Sequence, residues 1–352
     1  MSPAASTRLV DWKGAGRSAR RFAGATVQVA PAERAHLAED VAEAVADADK
    51  LVSEFTGLAL DGSPGSRPWV MTRGEWIDQN LRGLEQVLEP VARKLLESRN
   101  GHGSGTLRRR VLAFQFGAIL GFLARKVLGQ YDLFLPGDDR DLVYFVGPNI
   151  LELERRHRFP KRDFRLWLAL HEVTHRLQFE AVPWLRPYVG DLVDSYLGTI
   201  ELDARKLLER LRRALDEMRA GTTQRDLGIL FMLMSPEQRE TFRRMQALMS
   251  LLEGHGNYVM QTLSEGRVRG AERMQRTLQQ RRRQGGLGRA MQKAVGLDVK
   301  VRQYDMGANF VSEVSSLAGD EGFARVWERP ENVPTLDEIA RPQYWVERVA
   351  RG

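Results

Sequence analysis

The 352-residue chain contains no cysteine. Disulfides, iron–sulfur clusters and cysteine-rich zinc fingers are therefore excluded, and any tightly held metal must be bound by His, Asp or Glu. Long apolar runs are also missing. The longest, Val111–Ala124 (VLAFQFGAILGFLA), is interrupted by Gln115. It is too short to span a bilayer, so no membrane span is expected. It reads as a helix buried on all sides, with Gly117 and Gly121 on one face where another helix can come close. The opening MSPAASTRLVDWKGAGRSARRFAG is basic but has no apolar segment of signal-peptide length, which points to a cytoplasmic protein. Nothing repeats at a fixed period, so solenoids and propellers are excluded.

The net charge is +7, part of it concentrated in Arg267–Arg289, where RMQRTLQQRRRQGGLGR breaks at Gly285-Gly286. Without interleaved aromatic residues or a nucleic-acid motif, this reads as a solvated helix end running into an Arg-rich loop around 279–289. No nucleic-acid partner is expected.

Histidine is scarce, six in all, yet two of them stand four apart in His171-Glu172-Val173-Thr174-His175, inside FRLWLALHEVTHRLQFE. On a helix such residues lie one above the other, about 5–6 Å apart at Cβ. Two stacked imidazoles can each direct one nitrogen at a single Zn2+, and the carboxylate between them is free to take a proton from water. Chance assembles this H-E-x-x-H pattern in on the order of one such chain in a hundred. A metallohydrolase is the leading reading.

The surrounding elements are mostly helical. Residues 31–57 form a helix with Leu37, Val41, Val45 and Leu51 on its apolar face, and 74–98 another, interrupted near Pro90. Asp141–Val146 (DLVYFV) is a strand that could lie at a sheet edge beside the H-E-x-x-H helix and pair with an extended substrate. That helix runs over roughly 163–180, with Asp163 as N-cap and Pro183 beyond its end. Residues 189–219 are helical by pattern. Ser235-Pro236-Glu237-Gln238 is a capping box that launches a helix to about 263. One more helix lies within 291–318, and the tail with Pro330, Pro334 and Pro342 reads as loop. The expected organisation is an N-terminal arm (1–30) and a single domain (31–352).

A catalytic zinc takes three protein ligands and keeps one position open. A nearby third histidine in the short spacing would need Gly at 178 and His at 181, where this chain has Gln178 and Ala181. The later helix carries Glu253-Gly254-His255-Gly256-Asn257-Tyr258, behind an apolar stripe of Phe242, Met245, Met249, Leu252 and Val259. Glu253 and His255 flank that stripe about 160° apart, so one metal could not easily use both, and periodicity does not choose between them. Two glycines inside a helix, costing about 1 kcal/mol each relative to Ala, mark a place where a backbone, metal or substrate comes close.

LHEVTHRLQFEAVPWLR paired with SLLEGHGNYVM, together with GFLARKVLGQYDLF, YFVGPNI, GLDVKVRQYDMGANFV and PTLDEIARPQYWVERV, resembles an actinobacterial zincin-like metallopeptidase family. The opening VDWKGAGRSARRFAG is similar to the branch found in organisms that make the deazaflavin coenzyme. The resemblance implies a mainly α, zincin-like fold with a small β-sheet next to the H-E-x-x-H helix. It also implies an H-E-x-x-H plus Glu ligand set, placing Zn2+ on His171, His175 and Glu253 with Glu172 as general base and a peptide or protein as substrate. His255, Tyr258 and Tyr304 are candidates to stabilise the transition state, His255 also being the rival third ligand. The alternative is a catalytically silent, zinc-containing scaffold that binds a peptide or protein.

Overall fold

The computed structural model describes residues 10–24, 29–60, 62, 64–97, 106–133, 139–199, 234–283 and 298–351. Among the described residues the fold is mainly helical with one three-stranded sheet. The chain packs as two compact units, Met1–Leu51 with Asp61–Arg176, and Val52–Leu60 with Leu177–Gly352.

The first unit holds α1 (Trp12–Phe22), most of α2 (Pro31–Thr56), β1 (Arg67–Met71), α3 (Arg73–Glu97), α4 (Thr106–Ala124), β2 (Gly129–Tyr131), β3 (Leu142–Val146), α5 (Gly147–His157) and most of α6 (Lys161–Ala181). All five residues of β3 are buried. A strand covered on both faces sits inside a sheet, and β3 is central: β1 runs parallel to it with Arg67 opposite Leu142, and β2 antiparallel with Gly129 opposite Phe145. The expectation that 141–146 forms an edge is therefore corrected. Among the described residues the edges are β1 and β2, whose short sequences RPWVM and GQY show no strand pattern of their own. Pro68 lacks an amide donor, which an edge tolerates.

The glycines of α4 do admit a neighbour. A Cβ on Gly117 would lie 2.5 Å from the Ala15 carbonyl oxygen, and one on Gly121 2.3 Å from that of Ala19. The neighbour is α1, formed by WKGAGRSARRF within the segment read as an arm. However, α4 is not buried on all sides, because Val111, Phe114 and Leu123 are exposed. A run that is apolar all round conceals which face the fold will cover. Pro90 lies within α3 without ending it, at the cost of one amide donor.

The second unit holds the end of α6, α7 (Leu185–Gly198), α8 (Pro236–Ser264), α9 (Ala271–Arg283), α10 (Asp298–Ala324), α11 (Leu336–Ala340) and α12 (Pro342–Trp345). The capping box forms as expected: Gln238 N–H donates to Ser235 Oγ at 3.1 Å, and Ser235 N–H to Gln238 Oε1 at 2.8 Å. Met249, assigned to the apolar stripe of α8, is exposed, whereas Leu248, Leu251, Leu252 and Val259 are buried. Gly254 meets α10: its Cβ would fall 2.2 Å from the carbonyl carbon of Gly307. The tail is not loop. Pro330 and Pro342 each open a short helix, the first helical position being the one that needs no amide donor. Trp345 is fully buried and donates to the Asn332 carbonyl at 2.7 Å. Of the helical stretch expected over 189–219, the part beyond Thr199 lies outside the described residues, as does the Arg-rich stretch beyond Arg283. Among the described residues, no helix is long and apolar enough to cross a membrane.

Candidate metal centre

The centre is built on α6. Phe164, Trp167, Leu168, Ala169, Leu170, Val173 and Leu177 are all buried, so this helix is covered around most of its girth. It begins at Lys161, which places Asp163 in the first turn rather than at the cap. Arg165 anchors this end, donating to both oxygens of buried Glu154 on α5 at 2.8 and 2.9 Å and pairing with Asp40 on α2. Thr174, a weak helix former, turns its hydroxyl back to the Leu170 carbonyl at 2.6 Å. Arg176 holds the loop before β1, donating to Ser66 Oγ at 3.1 Å and to the Pro64 carbonyl at 2.8 Å.

His171 and His175 lie half-buried with their Nε2 atoms 3.2 Å apart and their rings nearly perpendicular. Two nitrogens bound to one tetrahedral zinc, each about 2.05 Å from it, stand about 3.3 Å apart. Glu253 completes the group: one ligand atom from each of His171, His175 and Glu253 lies within 4.8 Å of the others. Two imidazoles and a carboxylate suit Zn2+, so the residues present fit the metal, and this group could hold it.

Glu172 is not a member of that group. It is buried, and its side chain lies directly over Gly129 of β2: a Cβ there would come within 2.5 Å of Glu172 Cγ and 2.7 Å of Oε1. The strand is braced from behind, Gln130 accepting from Trp76 Nε1 at 2.7 Å and donating to Asn80 at 3.2 Å. Only glycine lets β2 pass so near the carboxylate. Gly129→Ala should displace Glu172 without touching the histidines. The expected result is a loss of about 1–3 kcal/mol of stability, the cost of overpacking a filled site, read by urea unfolding.

His255 is not a member of the His171, His175 and Glu253 group. Its ring stacks on Phe323 (centroids 5.4 Å, 26°) and meets Trp327 edge-on (5.1 Å, 61°). Its Nδ1 lies 2.8 Å from the Gln178 amide nitrogen, which also donates to the Leu252 carbonyl at 3.1 Å. An amide nitrogen only donates, so Nδ1 accepts and the ring proton is on Nε2. In this arrangement Nδ1 is committed to Gln178. Tyr258 packs its ring 6.2 Å from that of Phe55. Tyr304 lies on α10, and its side chain is outside the described residues. Gly129 and Gln178 are the site residues that sequence reasoning missed. For Gln178 a signal existed, since His171, His175 and Gln178 form an i, i+4, i+7 stripe.

A sequence profile of zincin-like metallopeptidases matches residues 10–346. No protein of curated function matches the chain. A solved structure from Chloroflexus aurantiacus, described as a candidate hydrolase with a novel fold, is similar at 33% identity with a TM-score of 0.73. The match covers 98% of this chain and 100% of that one. With the profile spanning both units and the histidine pair, the chain belongs to the zincin-like metallopeptidase family.

Proposed function

We propose that the protein is a zinc-dependent metallopeptidase in which His171, His175 and Glu253 hold Zn2+ and Glu172 is the general base. The observation that carries this reading is the 3.2 Å pairing of the two Nε2 atoms with the Glu253 carboxylate in the same group. Zinc bound there would polarise a carbonyl and lower the pKa of a water toward neutrality. The chain's own residues do the rest. Glu172, absent from the ligand group and held over β2, would take a proton from water and return it to the leaving amine. A peptide as substrate is supported by β2. Among the described residues this strand pairs only with β3, so an extended chain added to its other side would run past Glu172. The opening segment VDWKGAGRSARRFAG supports placement in the actinobacterial, deazaflavin-associated branch.

Metal analysis tests the reading. Wild type reconstituted with zinc and dialysed should retain one ion per chain, while His171→Ala and Glu253→Ala should retain almost none. Full retention by Glu253→Ala would remove that residue from the ligand set, and a wild type that retains no zinc would refute the proposal.

A further inference from the structure

We infer that Gln178 is a positioning residue for the third metal ligand: its amide pins Leu252 and His255, which bracket Glu253, to the end of the helix that carries the histidine pair. The inference rests on the metal-centre reading above. Gln178 is fully buried, three residues beyond His175 on the same face of α6. Both of its amide hydrogens are used, one on the Leu252 carbonyl and one on His255 Nδ1.

The arrangement constrains Glu253 from several directions. The residue before it is tied to α6 through its carbonyl. Gly254, after it, touches the Gly307 backbone so closely that no side chain fits. The next, His255, has its ring fixed against Phe323 and Trp327. The backbone of Glu253 is thus set in rotation and height, leaving the carboxylate little but its own torsions to adjust. A one-residue slip of α8 along α6 would strand a buried amide together with a buried imidazole nitrogen, so register is discrete rather than sliding. Groups outside the ligand set that orient ligands are worth about 10–100-fold in metal affinity. Gln178 fits that role through the backbone of the ligand's own helix.

The test measures Zn2+ affinity of the full-length, metal-stripped chain by competition with a chromogenic chelator, beside the melting temperature of the metal-free form. Gln178→Leu should weaken zinc by about 10–100-fold. His255→Phe keeps a ring for the packing and removes both ring nitrogens, the Nδ1 acceptor among them, so it should weaken zinc in the same direction but less, and it serves if Gln178→Leu fails to fold. Gln238→Ala is the control for general destabilisation: it removes another buried glutamine from the distant start of α8, and should lower the melting temperature while leaving zinc affinity unchanged. Wild-type affinity in both Gln178→Leu and His255→Phe would overturn the inference, as would equal weakening in Gln238→Ala. If Glu253→Ala itself binds zinc like the wild type, the metal-centre reading fails and this inference with it. Loss of zinc in Glu253→Ala but not in the Gln178 and His255 variants would overturn the positioning role alone.

Discussion

Glu172→Gln should hold zinc like the wild type and hydrolyse peptides about 10²- to 10⁴-fold more slowly, the range a general base contributes. The substitution preserves shape, so the packing of residue 172 over Gly129 survives and the ligand atoms of His171, His175 and Glu253 are undisturbed. What disappears is the ability to accept and return a proton. A peptide library digested with equal amounts of zinc-loaded wild type and variant gives the comparison. Equal rates would exclude Glu172 as the base. A wild type that carries stoichiometric zinc, binds peptides and cleaves none of them would favour the silent scaffold over the peptidase.

Arg165→Met should destabilise the protein by about 3–5 kcal/mol, measured by urea unfolding, because it strands a buried carboxylate. Glu154 is 4% exposed, and both its oxygens accept from Arg165. Asp40, the other partner, is partly exposed and can turn to water. Burial pushes the Glu154 carboxyl above its usual range, and Arg165 offsets only part of that rise. A raised folded pKa means that stability is present at low pH and lost as pH climbs through the folded value. Without the guanidinium the rise is steeper, so the deficit of Arg165→Met should be greatest near neutrality and shrink on mild acidification. Replacing both partners, Arg165→Met with Glu154→Leu, should recover most of the loss, since an apolar pair leaves no charge to bury. A deficit that does not change with pH would show that lost packing, rather than the carboxylate, sets the cost.

Some features were legible because they depend on residues close in sequence. The Ser235–Gln238 capping box is decided within four residues and forms as written. Strand β3 announces itself through five consecutive branched and aromatic residues, and the glycines at 117, 121 and 254 mark close helix contacts because a missing side chain has few other uses inside a helix. Local signals misled where they were uniform or weak. An all-apolar α4 conceals its exposed face, and the three residues of β2 become a strand only because β3 offers them a ladder. Prolines in the tail suggested loop, yet at the first position of a helix they cost nothing.

The sequence alone determined the available chemistry. A chain without cysteine can grip zinc only through imidazole and carboxylate, and two histidines four apart on a helix must share a face whatever the rest of the fold does. Only the tertiary structure decided that β2 rather than β3 passes Glu172 and that Gln178 reaches across to α8. These relations join residues as far as 77 positions apart. No local periodicity encodes them, because they depend on how one helix face registers against another after both have formed.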